Sequence, residues 1–467
     1  MEVDYLLIGC GASAMAFLDT MLRETEATFA VVDKNQAPGG HWNYAYPFVR
    51  LHQPSSFYGV NSRHLGHDRI DSSGSNAGLF ELASGNEVVA YYHDLMKTDF
   101  LPTGRVHFFP MTEYRDDGTV TSLISGEVTQ IDVRRKLVDG RRLGTKIPLT
   151  HKRSFEVADG VECIPPNDLP RYAPGYSSYT VLGSGKTAMD SILWLLEMGA
   201  DPNSVTWVRP RDAWLLNRKH IQPSIEFFDE TINGLACQLE IMATSKSVSE
   251  LCLLMENAGF WLRLDTDVWP EMFHAATVSE IELCELQKIN NIVKAGHVRR
   301  IEPNQMVMEN TLVLTEPGQL YVDCTASGLD GRMPDLAPVF SPGRINLQMI
   351  RIYQPTFSAA LIGFLEAKVD DEVLILSASR VTRMTDTVED WMEQRIVGMM
   401  NQKVWNENPA ISEWLRKCRL EIFGSALAAL DPDDINQMSV MERIKHATPE
   451  ASKNTTHLLD RGNLSTR

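Results

Sequence analysis

Two stretches of this chain, one turning at Gly9 and the other at Gly183, each read as a strand running into a glycine turn and then an apolar helix. Glu2 to Ile8 leads into Gly9-Cys10-Gly11-Ala12-Ser13-Ala14, and Tyr179-Thr180-Val181-Leu182 leads into Gly183-Ser184-Gly185-Lys186-Thr187-Ala188. A G-x-G-x-x-A turn between a buried strand and a helix starts a βαβ dinucleotide site, because the helix aims its unsatisfied N–H groups at phosphate. The repetition implies an α/β fold with two Rossmann-like dinucleotide-binding domains. The 467 residues leave room for two or three cores of that kind.

At the first turn, Gly9 permits the tight bend, Gly11 lets backbone approach a pyrophosphate, and Ala14, after Ser13, allows close helix–strand packing. The next strand, Phe29-Ala30-Val31-Val32, ends at Asp33, which is 22 residues beyond Gly11 (33 minus 11). A carboxylate there accepts hydrogen bonds from ribose hydroxyls. Lys34 follows, and then Pro38-Gly39-Gly40-His41-Trp42.

With these elements the chain resembles the two-dinucleotide flavoproteins, especially the flavin-containing and Baeyer–Villiger-type (class B) monooxygenases. Those carry a Gly-Gly-x-Trp element after the acidic residue of the first βαβ unit. The resemblance implies that the first site holds FAD, with Gly40, His41 and Trp42 passing near pyrophosphate and flavin. It also implies that the loop from Tyr46 to Tyr58 runs beside the isoalloxazine, which makes His52 and Gln53 candidate catalytic and cofactor-contacting residues. Baeyer–Villiger-type relatives usually carry an Asp about where His52 stands. His52 and Gln53 read equally well as groups that satisfy loop backbone. Gly126-Glu127-Val128 resembles the strand that meets the adenine, which makes Val128 a backbone contact.

The second turn is not a P-loop, because Thr180 stands where that motif needs a glycine. Its cofactor-binding candidates are Gly183, Ser184, Gly185, Lys186 and Thr187. The strand Ser204 to Val208 ends in Arg209-Pro210-Arg211 rather than in an acid. A base at that point suits the 2′-phosphate of NADP, so NADPH is expected over NADH, with Arg209 as its ligand. Two fragments, Phe155 to Gly160 and Tyr321 to Gly328, resemble the strand ends that mark domain crossings in the same family. The Phe-x-Gly-x-x-x-His fingerprint of flavin-containing monooxygenases is missing between Phe155 and Tyr179.

Composition narrows the partners. A net charge of −17 argues against nucleic acid, which needs a basic footprint, and against an anionic membrane surface. The seven cysteines form no C-x-x-C pair, which fits a reducing, cytoplasmic compartment. The N-terminus lacks the basic region of a signal peptide, and no apolar run approaches the roughly 18 residues a membrane span needs. No histidine–carboxylate pattern suggests a metal.

The expected layout is an FAD domain in two parts, 1–170 and 321–380, with an NADP domain at 171–320 inserted between them. That inserted domain carries a helical insertion at about 225–295, and C-terminal helices with a frayed polar tail from Thr448 occupy 381–467. The resemblance implies an NADPH-dependent FAD monooxygenase that moves one oxygen from O2, via a peroxyflavin, to a small organic substrate; an oligomer is compatible. Two rivals stay open. One is a flavin reductase or dehydrogenase without oxygenation. The other is a nucleotide-binding carrier or partner-binding protein, as GDP-dissociation inhibitors of small GTPases are on an FAD-type frame.

Overall fold

A computed structural model describes residues 1–115, 117–144, 146–326 and 337–465. Strand β1 (Glu2–Ile8), helix α1 (Ala12–Glu24) and strands β2 (Phe29–Val32), β3 (Val106–Phe109) and β4 (Asp132–Asp139) begin a first sheet. Strands β5 (Cys163–Ile164), β6 (Tyr179–Leu182), β7 (Val205–Val208), β8 (Asn291–Val293) and β9 (Leu320–Asp323) make a second. The chain then returns to the first sheet with β10 (Phe340–Ser341) and β11 (Arg344–Asn346).

The first sheet has the order β10-β11-β4-β1-β2-β3, parallel throughout except for the edge pair β10–β11. The second, β8-β7-β6-β9-β5, is parallel throughout. Each is a doubly wound α/β sheet with a glycine turn at the carboxyl end of a central strand, where such folds bind nucleotides. The central strands are buried on both faces: β1 is buried from Val3 to Ile8, and all four residues of β6 are buried. Runs such as Tyr5-Leu6-Leu7-Ile8 are therefore continuous rather than alternating.

Helix α2 (Lys186–Glu197) follows the second turn, and α3 (Gly234–Thr244) lies in the segment expected to be a helical insertion. That segment also holds helices Val248–Asn257 and Glu280–Leu286, but it is not wholly helical. Trp261–Leu262 and Thr277–Val278 pair with Leu215–Asn217, and β8 belongs to the second sheet. Short β-pairs of two or three residues leave no alternating pattern for a sequence to show.

Helix α4 (Pro355–Lys368) packs along α1 in the same direction. A side chain at Gly363 would stand 3.2 Å from the Phe17 carbonyl, and Lys368 pairs with Glu24 at 3.3 Å near the far ends of both helices. The amino ends of α1 and α4 therefore share the edge of the sheet that carries the first glycine turn.

Beyond α5 (Val388–Glu407) the chain ends in α6 (Ile435–Ser465), and the frayed tail expected from Thr448 is corrected. Ala451, Thr455 and Leu458 are buried, and Asn454 donates to the carbonyls of Met242 (2.9 Å) and Ser245 (2.8 Å). That amide satisfies carbonyls left over where α3 ends. Helical spacing of only a few small or apolar residues was too faint to oppose the polar composition. Among the described residues no helix is long and apolar enough to cross a membrane.

Candidate functional site

Gly9 takes a positive φ of +90° and donates to the Val32 carbonyl at 2.8 Å, so the chain reverses directly over the end of β2. Gly11, with ordinary φ, is the N-cap of α1 and offers no side chain to the first-turn N–H groups. Ser13 and Ala14 are buried in that first turn, and the turn after β4 comes so close that a Cβ at Gly140 would stand 3.2 Å from the Ala14 methyl. Asp33 is 5% exposed and faces the turn. Its carboxylate accepts from the Cys10 N–H at 2.5 Å and the Asn35 N–H at 2.7 Å. Burial pushes its carboxyl up, against the pull of those two N–H groups. Lys34 next to it points outward and is exposed.

The Gly-Gly-x-Trp loop lies directly on this turn. Gly39 (φ +117°) donates to the Cys10 carbonyl at 2.8 Å, and at Gly40 (φ +59°) a Cβ would stand 2.9 Å from Gly11 Cα. Only glycine allows both that backbone and that approach. Trp42 Nε1 donates to the Tyr58 hydroxyl at 2.8 Å, and the His41 ring leans on Trp42 with centroids 5.2 Å apart. Burial pushes His41 down to about 4, so its imidazole is neutral.

His52 is also neutral. The residue is solvent-accessible, yet much protein lies around it. That enclosure, with Lys186 and Arg218 nearby, pushes it down to about 3. Gln53 beside it is partly accessible. The His52 carbonyl accepts from Arg218 Nε at 3.0 Å. Arg218 is fully buried and also bonds Asn76 (3.1 Å), the Thr277 carbonyl (3.3 Å) and Glu282 (2.7 Å). Sequence reasoning missed this hub, because Asn217-Arg218-Lys219-His220 looks like any polar turn.

At the second turn, Gly183 (φ +128°) passes under β9, where a Cβ would meet the Cys324 carbonyl at 2.6 Å. Gly185 is the opposite case. Its φ of −85° suits any residue, it caps α2 without a side-chain bond, and a Cβ there would meet nothing within 4 Å. Ser184 and Thr187 flank it and are partly accessible. Lys186 turns back onto Asp190, which accepts from the Tyr46 hydroxyl at 2.6 Å. That pair of bonds ties the loop before His52 to α2.

Two placements differ from expectation. Arg209 ends β7 as the sequence indicated, but it is 3% exposed. Its guanidinium lies over the Trp207 ring at 4.9 Å, with Nε 2.7 Å from Asp212 Oδ1, a charge contact without hydrogen-bond alignment. An arginine so little exposed is not presented to a phosphate. The more open bases at this end are Arg211, 3.8 Å from Asp386, and Lys294, 3.1 Å from Asp212. Val128 is 61% exposed, on the last strand of a small antiparallel sheet. Met111 and Thr112, not Val128, adjoin Asp33: the Thr112 N–H meets the Asp33 carbonyl at 2.9 Å, and the Met111 N–H meets that of Asn35 at 3.0 Å. Of the two crossing fragments, Glu156–Val157 pairs with Val298–Glu302, and Tyr321 to Asp323 lies in β9. Ser327 and Gly328 fall outside the described residues.

No family model matches the chain. Among solved structures, open cyclohexanone monooxygenase is 15% identical, with 78% of this chain and 88% of that chain covered and a TM-score of 0.45. Oxidized steroid monooxygenase bound to NADP is 14% identical (79% and 85% covered), also with a TM-score of 0.45. Likenesses of that degree carry no argument about chemistry. The uncharacterized protein Rv2000 of Mycobacterium tuberculosis and the uncharacterized protein Mb2023 of Mycobacterium bovis are each 39% identical over 466 residues, which is 100% of this chain and 86% of each relative. The chain belongs to the family of these mycobacterial proteins.

Proposed function

We propose that this protein is an FAD-dependent oxidoreductase reduced by NADPH, of the class B flavin monooxygenase type, acting on a small organic substrate with O2. The observation that carries the reading is the pair of helix N-termini without side-chain caps at glycine turns, one at each of the two sheets. The expected division stands as part of the proposal: an FAD domain from 1–170 and 321–380, an NADP domain at 171–320, and C-terminal helices from 381. A cytoplasmic location suits seven cysteines that are all unpaired.

The residues fit the two cofactors. Gly9, Gly11, Ser13 and Ala14 would hold the FAD pyrophosphate at the amino end of α1. Asp33 keeps lone pairs for ribose hydroxyls beyond the two N–H bonds it already accepts. Gly40, His41 and Trp42 would close over it. Gly183, Ser184, Gly185, Lys186 and Thr187 would hold NADPH, with Arg211 and Lys294 as the 2′-phosphate candidates in place of Arg209. FAD, when bound, supplies hydride acceptance and reaction with O2. The chain contributes orientation and exclusion of water. His52, held neutral, can donate or accept a hydrogen bond without adding charge, and Arg218 fixes its backbone. Lys186 supplies the nearby positive charge, itself steadied by Asp190.

A second reading is a flavin reductase or dehydrogenase that does not oxygenate its substrate. A neutral imidazole at His52, where the resembled Baeyer–Villiger enzymes place a carboxylate, favours it. The visible spectrum of the purified protein before and after anaerobic NADPH tests the shared core of both. A flavin band that bleaches is expected, and a colourless protein that cannot be loaded with FAD would sink it. Label from ¹⁸O2 in the product then separates oxygenation from reduction.

A further inference from the structure

Three residues beyond Gln53 the chain makes a loop, Ser56 to Val60, that lies outside the two sheets carrying the glycine turns. Its carbonyls therefore need partners other than a neighbouring strand. One guanidinium supplies them. Arg419, just past the helix Pro409–Lys417, donates Nη1 to the Ser56 carbonyl at 2.6 Å, Nη2 to the Tyr58 carbonyl at 2.5 Å and Nε to the Val60 carbonyl at 2.8 Å. Its backbone N–H donates to Asn61 Oδ1 at 3.1 Å. A rigid fork bonded to three carbonyls fixes where each of them stands. A lysine ammonium, a compact charge on a flexible stem, offers no such fork.

The arginine is anchored on both sides. Cys418 and Leu420, its chain neighbours, are buried in the core that also holds α1, and Glu421 pairs with Arg351. In the loop, Gly59 (φ +95°) leaves no room for a side chain. A Cβ there would stand 2.6 Å from the Tyr91 hydroxyl, which accepts from the Val60 N–H at 3.0 Å. Beyond Asn61, the Ser62 N–H donates at 3.0 Å to the buried carboxylate of Asp19 in α1. The loop so fixed carries Tyr58, 7% exposed, whose hydroxyl accepts from Trp42 Nε1 and whose ring meets Trp42 edge-on with centroids 5.9 Å apart. Trp42 in turn belongs to the Gly-Gly-x-Trp loop that crosses Gly11. A path of hydrogen bonds and short chain segments thus runs from Arg419 to the backbone over the first glycine turn.

We propose that Arg419 is a positioning residue of the first site: it sets the loop from Ser56 to Val60 so that Tyr58 holds Trp42, and with it the Gly39–Gly40 backbone, over the glycine turn. It acts through Tyr58 and not by contact with a bound nucleotide. The C-terminal region, which lies outside both dinucleotide-binding domains of the proposed layout, thereby becomes part of what closes the first site. That the closed loop retains FAD rests on the oxidoreductase reading; that Arg419 closes it does not.

The test is a double-mutant cycle on the purified full-length protein as isolated, with Arg419→Met, Tyr58→Phe and the two combined. Tyr58→Phe removes the hydroxyl that Trp42 bonds and leaves the carbonyl that Arg419 bonds. Amide hydrogen exchange is read on peptides covering residues 56–63 and 39–45. Arg419→Met is expected to speed exchange on the order of 10- to 100-fold in both, the loss of bonds to a charged donor. Tyr58→Phe should speed only 39–45, and the double variant should exchange there no faster than Arg419→Met alone. Arg419→Lys keeps a positive charge to act on buried Asp19, so it should melt like wild type, yet it should loosen both segments for want of the fork. Flavin lost on gel filtration should rise in each variant that loosens 39–45. Faster exchange confined to 56–63, effects at 39–45 that multiply, faster exchange throughout the chain, or wild-type exchange in Arg419→Lys each overturns the proposal. A colourless protein that shows the two-segment pattern keeps the role of Arg419 and removes only the oxidoreductase reading.

Discussion

The two glycine turns start from nearly the same sequence and end in opposite states. At the first, the Gly39–Gly40 backbone is clamped over Gly11, and Asp33 is buried against the turn. At the second, no loop covers Gly185, where a side chain would meet open space. A nucleotide under a closed loop leaves slowly, since the loop must open first; one on an open turn exchanges freely. The contrast fits a resident cofactor at the first turn and a diffusing one at the second.

One substitution type applied at both turns separates them most sharply. Gly40→Ala puts a methyl 2.9 Å from Gly11 Cα on a backbone with φ +59°, so the loop must lift. The variant is expected to purify without flavin and to lose about 1–3 kcal/mol of stability, the range for a strained left-handed residue. Gly185→Val meets no protein atom and has ordinary φ, so its thermal unfolding and flavin content should match wild type. Its apparent affinity for NADPH should nevertheless fall on the order of 100-fold, because the methyls occupy the approach to the pyrophosphate. Flavin absorbance and anaerobic stopped-flow reduction measure both. A Gly185→Val protein reduced normally by NADPH would break the comparison.

A smaller effect separates the bases at the second turn. Arg211→Ala or Lys294→Ala should weaken NADPH about tenfold while leaving NADH use unchanged, as expected when a charge-assisted bond to the 2′-phosphate is lost. Arg209→Ala should depress both cofactors alike and lower the melting temperature, because it leaves Asp212 buried with less compensation. Selective loss of NADPH in Arg209→Ala would restore the arrangement read from the sequence. The same stopped-flow traces, run with each cofactor, decide it.

What the sequence made legible was local and backbone-driven. Glycine turns, a strand end with an acid and the Gly-Gly-x-Trp spacing are set within a few residues of each other, so Gly9, Gly40 and Gly183 sit where their conformations demand. The side-chain destinations were not legible. Whether Arg209 faces solvent or Asp212 depends on a loop returning after β7, and Arg218 reaches His52, Asn76 and Glu282 across long sequence separations. The α6 tail was misread because Asn454 caps a helix that ends more than 200 residues earlier in the chain.

The smallest expected effect concerns acid. Two imidazoles are held neutral, His41 against Trp42 beside the first turn and His52 near Lys186 and Arg218. Their folded values, about 4 and about 3, lie below the ordinary histidine value near 6.5 that the unfolded chain keeps. Between those limits the unfolded state binds more protons, so stability falls as pH falls below about 6.5, and the loss stops once the folded imidazoles also protonate. Because solvent reaches His52, its share is smaller than the depression alone implies. Melting temperature between pH 7 and pH 4.5 should therefore fall less steeply in a His41→Gln, His52→Gln double variant than in wild type. Bound FAD should steepen the wild-type slope if it encloses these rings further. Parallel slopes in all three samples would mean that neither histidine is enclosed, and the closed state of the loop that His41 begins would lose its support.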